Sequence, residues 1–272
     1  MLSNYLRFVK DSLLFVRKEI IKISERVNRA KVVGRAFYGD ESILIDRVAD
    51  EAIALKIKEV FKDFTYISEE SGISKRGKGV PYILADPLDG STNAKRGISN
   101  YCTAIAVSEG ETFEDIVAAG VIEHQSGEMI WGFKGSVFEG WKRAKLSSRE
   151  DLENSLIIFD PKIRSNPENL QNIIELMKST KYPRMIGAAA WEVASLASGR
   201  VEAVIAYPGF LRTFDCLPSL FLLKQAGGKA VYIGKKPSDL TSKEGIRFVA
   251  ACNDVILSRV ISILKVKGST LF

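Results

Sequence analysis

Apolar residues recur at steps of three and four through Leu6, Val9, Leu13, Val16, Ile20, Ile23 and Val27, which makes one stripe on a long helix. Ile53, Ile57, Val60 and Phe61 repeat the pattern and predict a second helix following Asp46. Short runs rich in β-branched and aromatic residues predict strands over 65–68, 82–85, 103–108 and 117–123. Gln125-Ser126-Gly127 is a turn signal leading into a strand over 128–133, so 117–133 reads as a hairpin. Two helices against a mostly antiparallel sheet result.

The polar stretch 142–154 separates this texture from a second one. Strands over 156–159, 201–207, 229–232 and 247–252 alternate with helices over 167–177, 191–198, 217–226 and 255–265. Gly199 and the pair Gly227-Gly228 close two of those helices. Strand–helix alternation predicts an α/β second half. The chain as a whole is read as α+β, with one domain over 1–145 and another over 146–272. It has no internal repeat and no low-complexity segment.

With 272 residues, 46% of them hydrophobic, the chain is long enough for one large or two moderate cores. Lys and Arg outnumber acids 39 to 33, a net +6 that could suit a polyanion. The basic residues are scattered, however, and no basic run reaches five, which argues against a nucleic-acid surface. The excess charge is read instead as a solvated surface that mildly attracts phosphorylated substrates. Cys102, Cys216 and Cys252 lie far apart without metal-type spacing and read as reduced, buried thiols. No secretory h-region and no apolar run of ~20 residues is present, so the expectation is a cytoplasmic protein outside the membrane.

The chemistry concentrates in "ILADPLDGSTNAKRG", residues 83–97. An apolar strand is expected to stop at Asp86, with Pro87 sharpening its exit. Asp89 follows close enough for both acids to face one point. Paired carboxylates repel and raise each other's pKa, and a hard divalent cation such as Mg²⁺ relieves that repulsion. Gly90 permits close backbone approach, and Ser91, Thr92 and Asn93 suit a helix N-terminus whose N–H groups hold a phosphate. Taken alone, such an Asp-rich turn is common. Two further acidic points change the picture. "YISEESG" ends another apolar strand at Glu69-Glu70, and "RTFDCLPSLFLLKQAGG" puts Asp215 just ahead of an apolar helix, where it could equally be a cap.

"SEES", "DPLDGSTN" and an Asp before an apolar helix ending in "AGG" resemble the inositol monophosphatase family, in order and in spacing. The resemblance runs from residue 1 to about 265 and, through "LIDRVAD" and "FLRTFD", is nearer the archaeal dual-activity branch. It implies a layered αβαβα sandwich and a Mg²⁺-dependent, lithium-sensitive phosphomonoesterase that acts on inositol monophosphate, fructose 1,6-bisphosphate or both. By that resemblance Glu69, Asp86, the Leu88 carbonyl, Asp89 and Asp215 hold two or three Mg²⁺ ions, with Mn²⁺ as a substitute and Li⁺ as an inhibitor. Asp46, Glu69 and Ser91 form the catalytic set, Asp46 and Ser91 orienting the attacking water. Ser91 stands where the family usually has threonine and keeps the hydroxyl. Asp89, Gly90, Ser91, Thr92 and the small-residue turn Gly187-Ala188-Ala189 are expected to contact substrate, and Arg184 and Arg212 a second phosphate or sugar hydroxyls. The position matching the inositol-contacting glutamate of the animal enzymes is Pro208, which argues against strict inositol specificity. A homodimer is expected, with a small phosphorylated sugar or cyclitol as substrate. The competing readings are a 3′(2′),5′-bisphosphate nucleotidase and a non-catalytic anion-binding homologue. The sole histidine, His124, is expected to be structural or exposed.

Overall fold

The computed structural model describes residues 2–26, 31–39, 41–160 and 170–272. Helix α1 (Leu2–Arg26) buries Val9, Leu13, Val16 and Ile20 completely, as the stripe requires. Val27, the stripe's last member, lies outside the described residues. Strands β1 (Val32–Arg35) and β2 (Glu41–Ile43) form a small ribbon before helix α2 (Leu44–Val60). That helix starts earlier than its apolar spacing suggests. Asp46 sits inside its first turn, where Oδ2 accepts a hydrogen bond from the Ile43 N–H (2.8 Å) and so caps the helix. Val60 is half exposed, and Phe61 already has extended dihedrals.

The first large sheet has eight strands: β3 (Phe64–Ser68), β4 (Gly72–Arg76), β5 (Tyr82–Asp89), β6 (Cys102–Ser108), β7 (Ile116–Glu123), β8 (Met129–Phe133), β9 (Ser136–Glu139) and β10 (Lys142–Arg143). Their order is β10-β9-β8-β7-β6-β5-β3-β4, and every pairing but β3 with β5 is antiparallel. The short helix α3 (Ser91–Arg96) follows β5. Strands β4, β9 and β10 escape a reading by periodicity because they lie toward the sheet's edges. β4 buries only its first residue, and β10 none, so neither carries a period-2 signal.

The second sheet, in order β12-β11-β13-β15-β14-β16, comprises β11 (Leu156–Phe159), β12 (Tyr182–Arg184), β13 (Ala203–Leu211), β14 (Lys229–Ile233), β15 (Ile246–Ala251) and β16 (Gly268–Thr270). Only β11 pairs in parallel, with β12 and β13, so the sheet is mixed. The reason is local: no helix separates β14 from β15, and two strands joined by a loop pair antiparallel. Its helices are α4 (Leu170–Lys178), α5 (Ala189–Ala197), α6 (Thr213–Ala226) and α7 (Asp254–Leu264). The start of the helix expected over 167–177 falls outside the described residues.

The layers stack as αβαβα. Helices α1 and α2 cover one face of the first sheet, α5 and α6 fill the space between the sheets, and α4 and α7 close the far side. One core lies under α1 and α2, and a larger one runs through the middle layer into the second sheet. Gly120 on β7 shows how tightly α1 seats: a Cβ there would come within 2.8 Å of Leu13 Cδ1 and 3.0 Å of Val9 Cγ1. All three cysteines are buried and unbridged. No helix among the described residues is long and apolar enough to cross a membrane.

This seating generates a prediction. Leu13→Ala should cost about 3 kcal/mol in urea unfolding, the transfer and cavity cost of a fully buried leucine. Gly120→Ala alone should also destabilise, through the clash. In the double variant the added methyl enters the space that Leu13 vacates, so the combined loss should fall below the sum of the single losses; strict additivity would refute the packing described.

Candidate active site

The site begins with a violation of strand alternation. Residues three apart on a regular strand point to opposite faces, yet Asp86 and Asp89 pair with Ala104 and Cys102, which share a face. The ladder absorbs three steps on β5 against two on β6, a bulge at Pro87–Leu88. Strand β5 therefore continues to Asp89 and does not end at Asp86, and the bulge turns both carboxylates toward the middle layer. Asp86 Oδ1 accepts the Leu88 N–H (3.0 Å). Gly90 then takes a left-handed conformation (φ 82°) with the Asn100 carbonyl so close that a Cβ would lie 2.9 Å from it. Ser91 opens α3, its hydroxyl lying 2.9 Å from Asp46 Oδ1 and 2.8 Å from the Leu88 carbonyl.

Parallel pairing of β3 with β5 sets Ser68 opposite Ala85, so Glu69 leaves its strand beside Asp86. Asp215 arrives from the middle layer. It lies not ahead of α6 but in its first turn, where Oδ2 caps the helix by accepting the Arg212 N–H (2.8 Å). The cap reading and the acid-cluster reading of Asp215 thus both hold. Ligand-capable oxygens of Glu69, Asp86 and Asp215 all lie within 4.8 Å of one another. Asp89 stands next to this trio, its Oδ2 accepting from the Ala190 N–H (2.7 Å) and the Cys102 thiol (3.6 Å).

The acids line one cavity of about 430 Å³ together with Leu88, Gly90, Ser91, Gly187 and Arg212. Asp46 lies one hydrogen bond behind it, through Ser91. Three nominated residues stand elsewhere. Arg184 is exposed and donates to its neighbour's carbonyl, Pro183 (2.9 Å). The Thr92 side chain faces solvent, and Ala188 is fully buried as the N-cap of α5, outside the cavity lining. Ala189, of the small-residue turn Gly187-Ala188-Ala189, does line the cavity, and Asp160, Phe210 and Leu211 line it without having been singled out. Asp160 carries the same signal as Glu69, an acid directly after an apolar strand, in "LIIFD". Phe210 and Leu211 carry no comparable signal.

Crowding sets the electrostatics. Burial first, then Asp215, push Glu69 well above the ordinary carboxyl range, against the pull of Arg212, whose Nη1 lies 2.9 Å from Glu69 Oε1. Burial, then Glu69 and Asp89, raise Asp86 in the same way. Asp89 is pushed up to about 7 by burial and Asp215, with the Ala190 N–H opposing. Asp46 also rises to about 7, chiefly through burial. A buried all-oxygen set in which burial and mutual repulsion both disfavour the charged form is chemically suited to a hard divalent cation, and a guanidinium already partners one member.

The family description "Inositol monophosphatase family" matches residues 10–265. The chain belongs to the inositol monophosphatase family. That makes it a phosphatase, by class a phosphoric monoester hydrolase. A fructose-1,6-bisphosphatase/inositol-1-monophosphatase of Archaeoglobus fulgidus is 29% identical over 271 residues, covering 96% of this chain and 98% of its own. A Nus factor SuhB of Pseudomonas aeruginosa is 28% identical across 68% of this chain and 69% of its own. The fold of a Thermotoga maritima IMPase superposes with a TM-score of 0.79 at 23% identity, covering 96% of both chains.

The raised carboxyl pKa values favour the neutral form in the fold. Their contribution to stability is therefore full below pH ~4, the ordinary carboxyl range, and is lost as pH rises through about 7. In chelator, Asp86→Asn should raise Tm over wild type by about 3 °C or more at pH 8, and the gap should close at pH 5. Equal melting curves at pH 8 would refute the crowding.

Proposed function

We propose that this cavity hydrolyses phosphate monoesters of small sugars or cyclitols, with inositol monophosphate and fructose 1,6-bisphosphate as the substrates to expect. The observation that carries the reading is the meeting of Glu69, Asp86 and Asp215, from three segments distant in sequence, within 4.8 Å of one another. The double name of the Archaeoglobus fulgidus relative supports the substrate pair.

Glu69, Asp86, the Leu88 carbonyl, Asp89 and Asp215 would hold Mg²⁺, in two or three ions, with Mn²⁺ able to replace it and Li⁺ expected to inhibit. Bound there, the ions supply positive charge against the phosphoryl oxygens and acidify water. The chain's own residues do the rest. The N–H groups of Gly90, Ser91 and Thr92 face the phosphate, and the Gly187 turn bounds it on the other side. Asp46, with a pKa raised to about 7, accepts from the Ser91 hydroxyl and so directs that hydroxyl's lone pairs at the attacking water. The water oxygen bonds to phosphorus as the ester P–O bond breaks, and the departing alcohol oxygen takes up a proton. Arg212, stacked on Tyr38 (5.2 Å), would meet a second anionic group or ring hydroxyls while Phe210 offers an apolar wall. Arg184 has no support from its position.

Phosphate release should be followed over inositol 1-phosphate, fructose 1,6-bisphosphate and adenosine 3′,5′-bisphosphate, with and without Mg²⁺. Turnover of the first two should require the cation, and Asp215→Asn should lower kcat/KM by roughly two orders of magnitude, about 3 kcal/mol of transition-state stabilisation. Release that persists in chelator, or an Asp215→Asn enzyme as fast as wild type, would overturn the assignment. Preference for the nucleotide would replace the sugar and cyclitol reading with the nucleotidase one.

A further inference from the structure

Behind the acids, on the reverse face of the first sheet, lies a buried polar chain that touches none of the cavity. The bulge leaves Pro87 without a ladder partner: proline has no N–H, and two residues of β5 confront the single Thr103 of β6. Cys102 and Ala104 face the middle layer and Ile105 the α1 side, so alternation turns Thr103 toward α1. Its hydroxyl lies 2.6 Å from the Pro87 carbonyl and 2.9 Å from His124 Nε2. Thr103 is fully buried and His124 nearly so, at 1% exposure.

Donor counting fixes the direction of this chain. A carbonyl only accepts, so the single hydroxyl proton of Thr103 goes to Pro87. Thr103 Oγ1 must then accept from His124, which puts the imidazole proton on Nε2 and leaves Nδ1 as a bare acceptor. Nδ1 indeed has no hydrogen-bond partner among the described residues. The imidazole is held neutral, its pKa lowered to about 3 by burial and then by Arg17. The backbone around the ring is pinned at both ends. The His124 N–H donates to the Tyr101 carbonyl (3.1 Å), and its carbonyl accepts from Arg17 Nε of α1 (3.0 Å).

We propose that Thr103 and His124 are positioning residues: the chain His124 Nε2–H to Thr103 O–H to Pro87 carbonyl locks the bulge that puts Asp86 and Asp89 on one face. Without that lock, relaxation toward regular pairing turns one of the two carboxylates away from the cavity. The inference deepens the reading of the cavity as a cation-dependent site and rests on it. It also gives a role to a buried threonine and imidazole on a sheet face whose neighbouring positions Ile105 and Ile122 belong to the apolar core.

The test uses the full chain and its single histidine. In ¹⁵N-labelled wild type, ring nitrogen couplings should show the Nε2–H tautomer at neutral pH; an Nδ1–H tautomer overturns the proposal outright, whatever any variant does. Calorimetric titration of Mg²⁺ should then show affinity about tenfold weaker in Thr103→Val and in His124→Leu, the scale of lost outer-sphere support. Thr103→Ser restores the hydroxyl and His124→Gln restores an N–H donor at the Nε2 position, and both should return to within about twofold of wild type. Variants that melt earlier yet bind Mg²⁺ as wild type does, or Ser and Gln replacements no better than Val and Leu, overturn the proposal. Wild type that takes up no Mg²⁺ overturns the cation-site reading itself, a result distinct from failure of the relay alone.

Discussion

Everything in this chain's architecture answers one electrostatic problem, the confinement of several carboxylates in a space where each makes its neighbours harder to ionise. Glu69, Asp86 and Asp215 gain nothing for the fold by meeting, and the raised pKa values of Glu69 and Asp86 record the strain. A cluster that costs stability persists where the site needs it. The fold meets part of that cost locally. Asp46 and Asp215 each occupy the first turn of a helix, where a backbone N–H binds one oxygen and the positive end of the helix favours negative charge. Arg212 lends a guanidinium to Glu69.

Geometry is maintained by contacts that join the two sheets across the middle layer. Asn93 of α3 donates through Nδ2 to the Asn100 carbonyl and to the Ile186 carbonyl, 2.9 Å each, tying the turn after Asp89 to the turn before α5. On the other side Glu192 Oε1 accepts the N–H groups of Ile186 and Gly187. Burial raises that carboxyl to about 8, so at neutral pH it holds the turn mainly as a neutral acid and adds little further negative charge to the cavity. Asp89 closes the circle by accepting the Ala190 N–H. The walls therefore come from different layers but share hydrogen bonds.

Much of this was legible in the sequence because it follows from spacing. Leu13, Val16 and Ile20 sit where a 3.6-residue period puts them, and the apolar runs ending at Ser68 and Ala85 are strands with acids at their ends. What could not be read depends on partners far along the chain. The bulge exists only in the register between β5 and β6, so local signals alone made β5 stop three residues early. Asp215 looked like a residue preceding its helix because Thr213 and Phe214 are weak helix formers, and the capping bond back to Arg212 overrides that weakness. Asp160 was legible in principle, as an acid after "LIIF", but only the second sheet's parallel pairs bring that strand end to the cavity. Arg184 lies away from the cavity lining, because charge at a strand end says nothing about which way the end faces.

The division of the acids between layers has a consequence for biosynthesis. A nascent chain that has emerged as far as Arg143 already contains all eight strands of the first sheet along with Asp46, Glu69, Asp86 and Asp89, but nothing of α5 or α6. Until Asp215 follows and the middle layer docks, the pocket lacks one wall and the half-built cluster stays open to solvent, where its charges are screened. Asp215 thus joins the acids of the first sheet only when α6 docks against it.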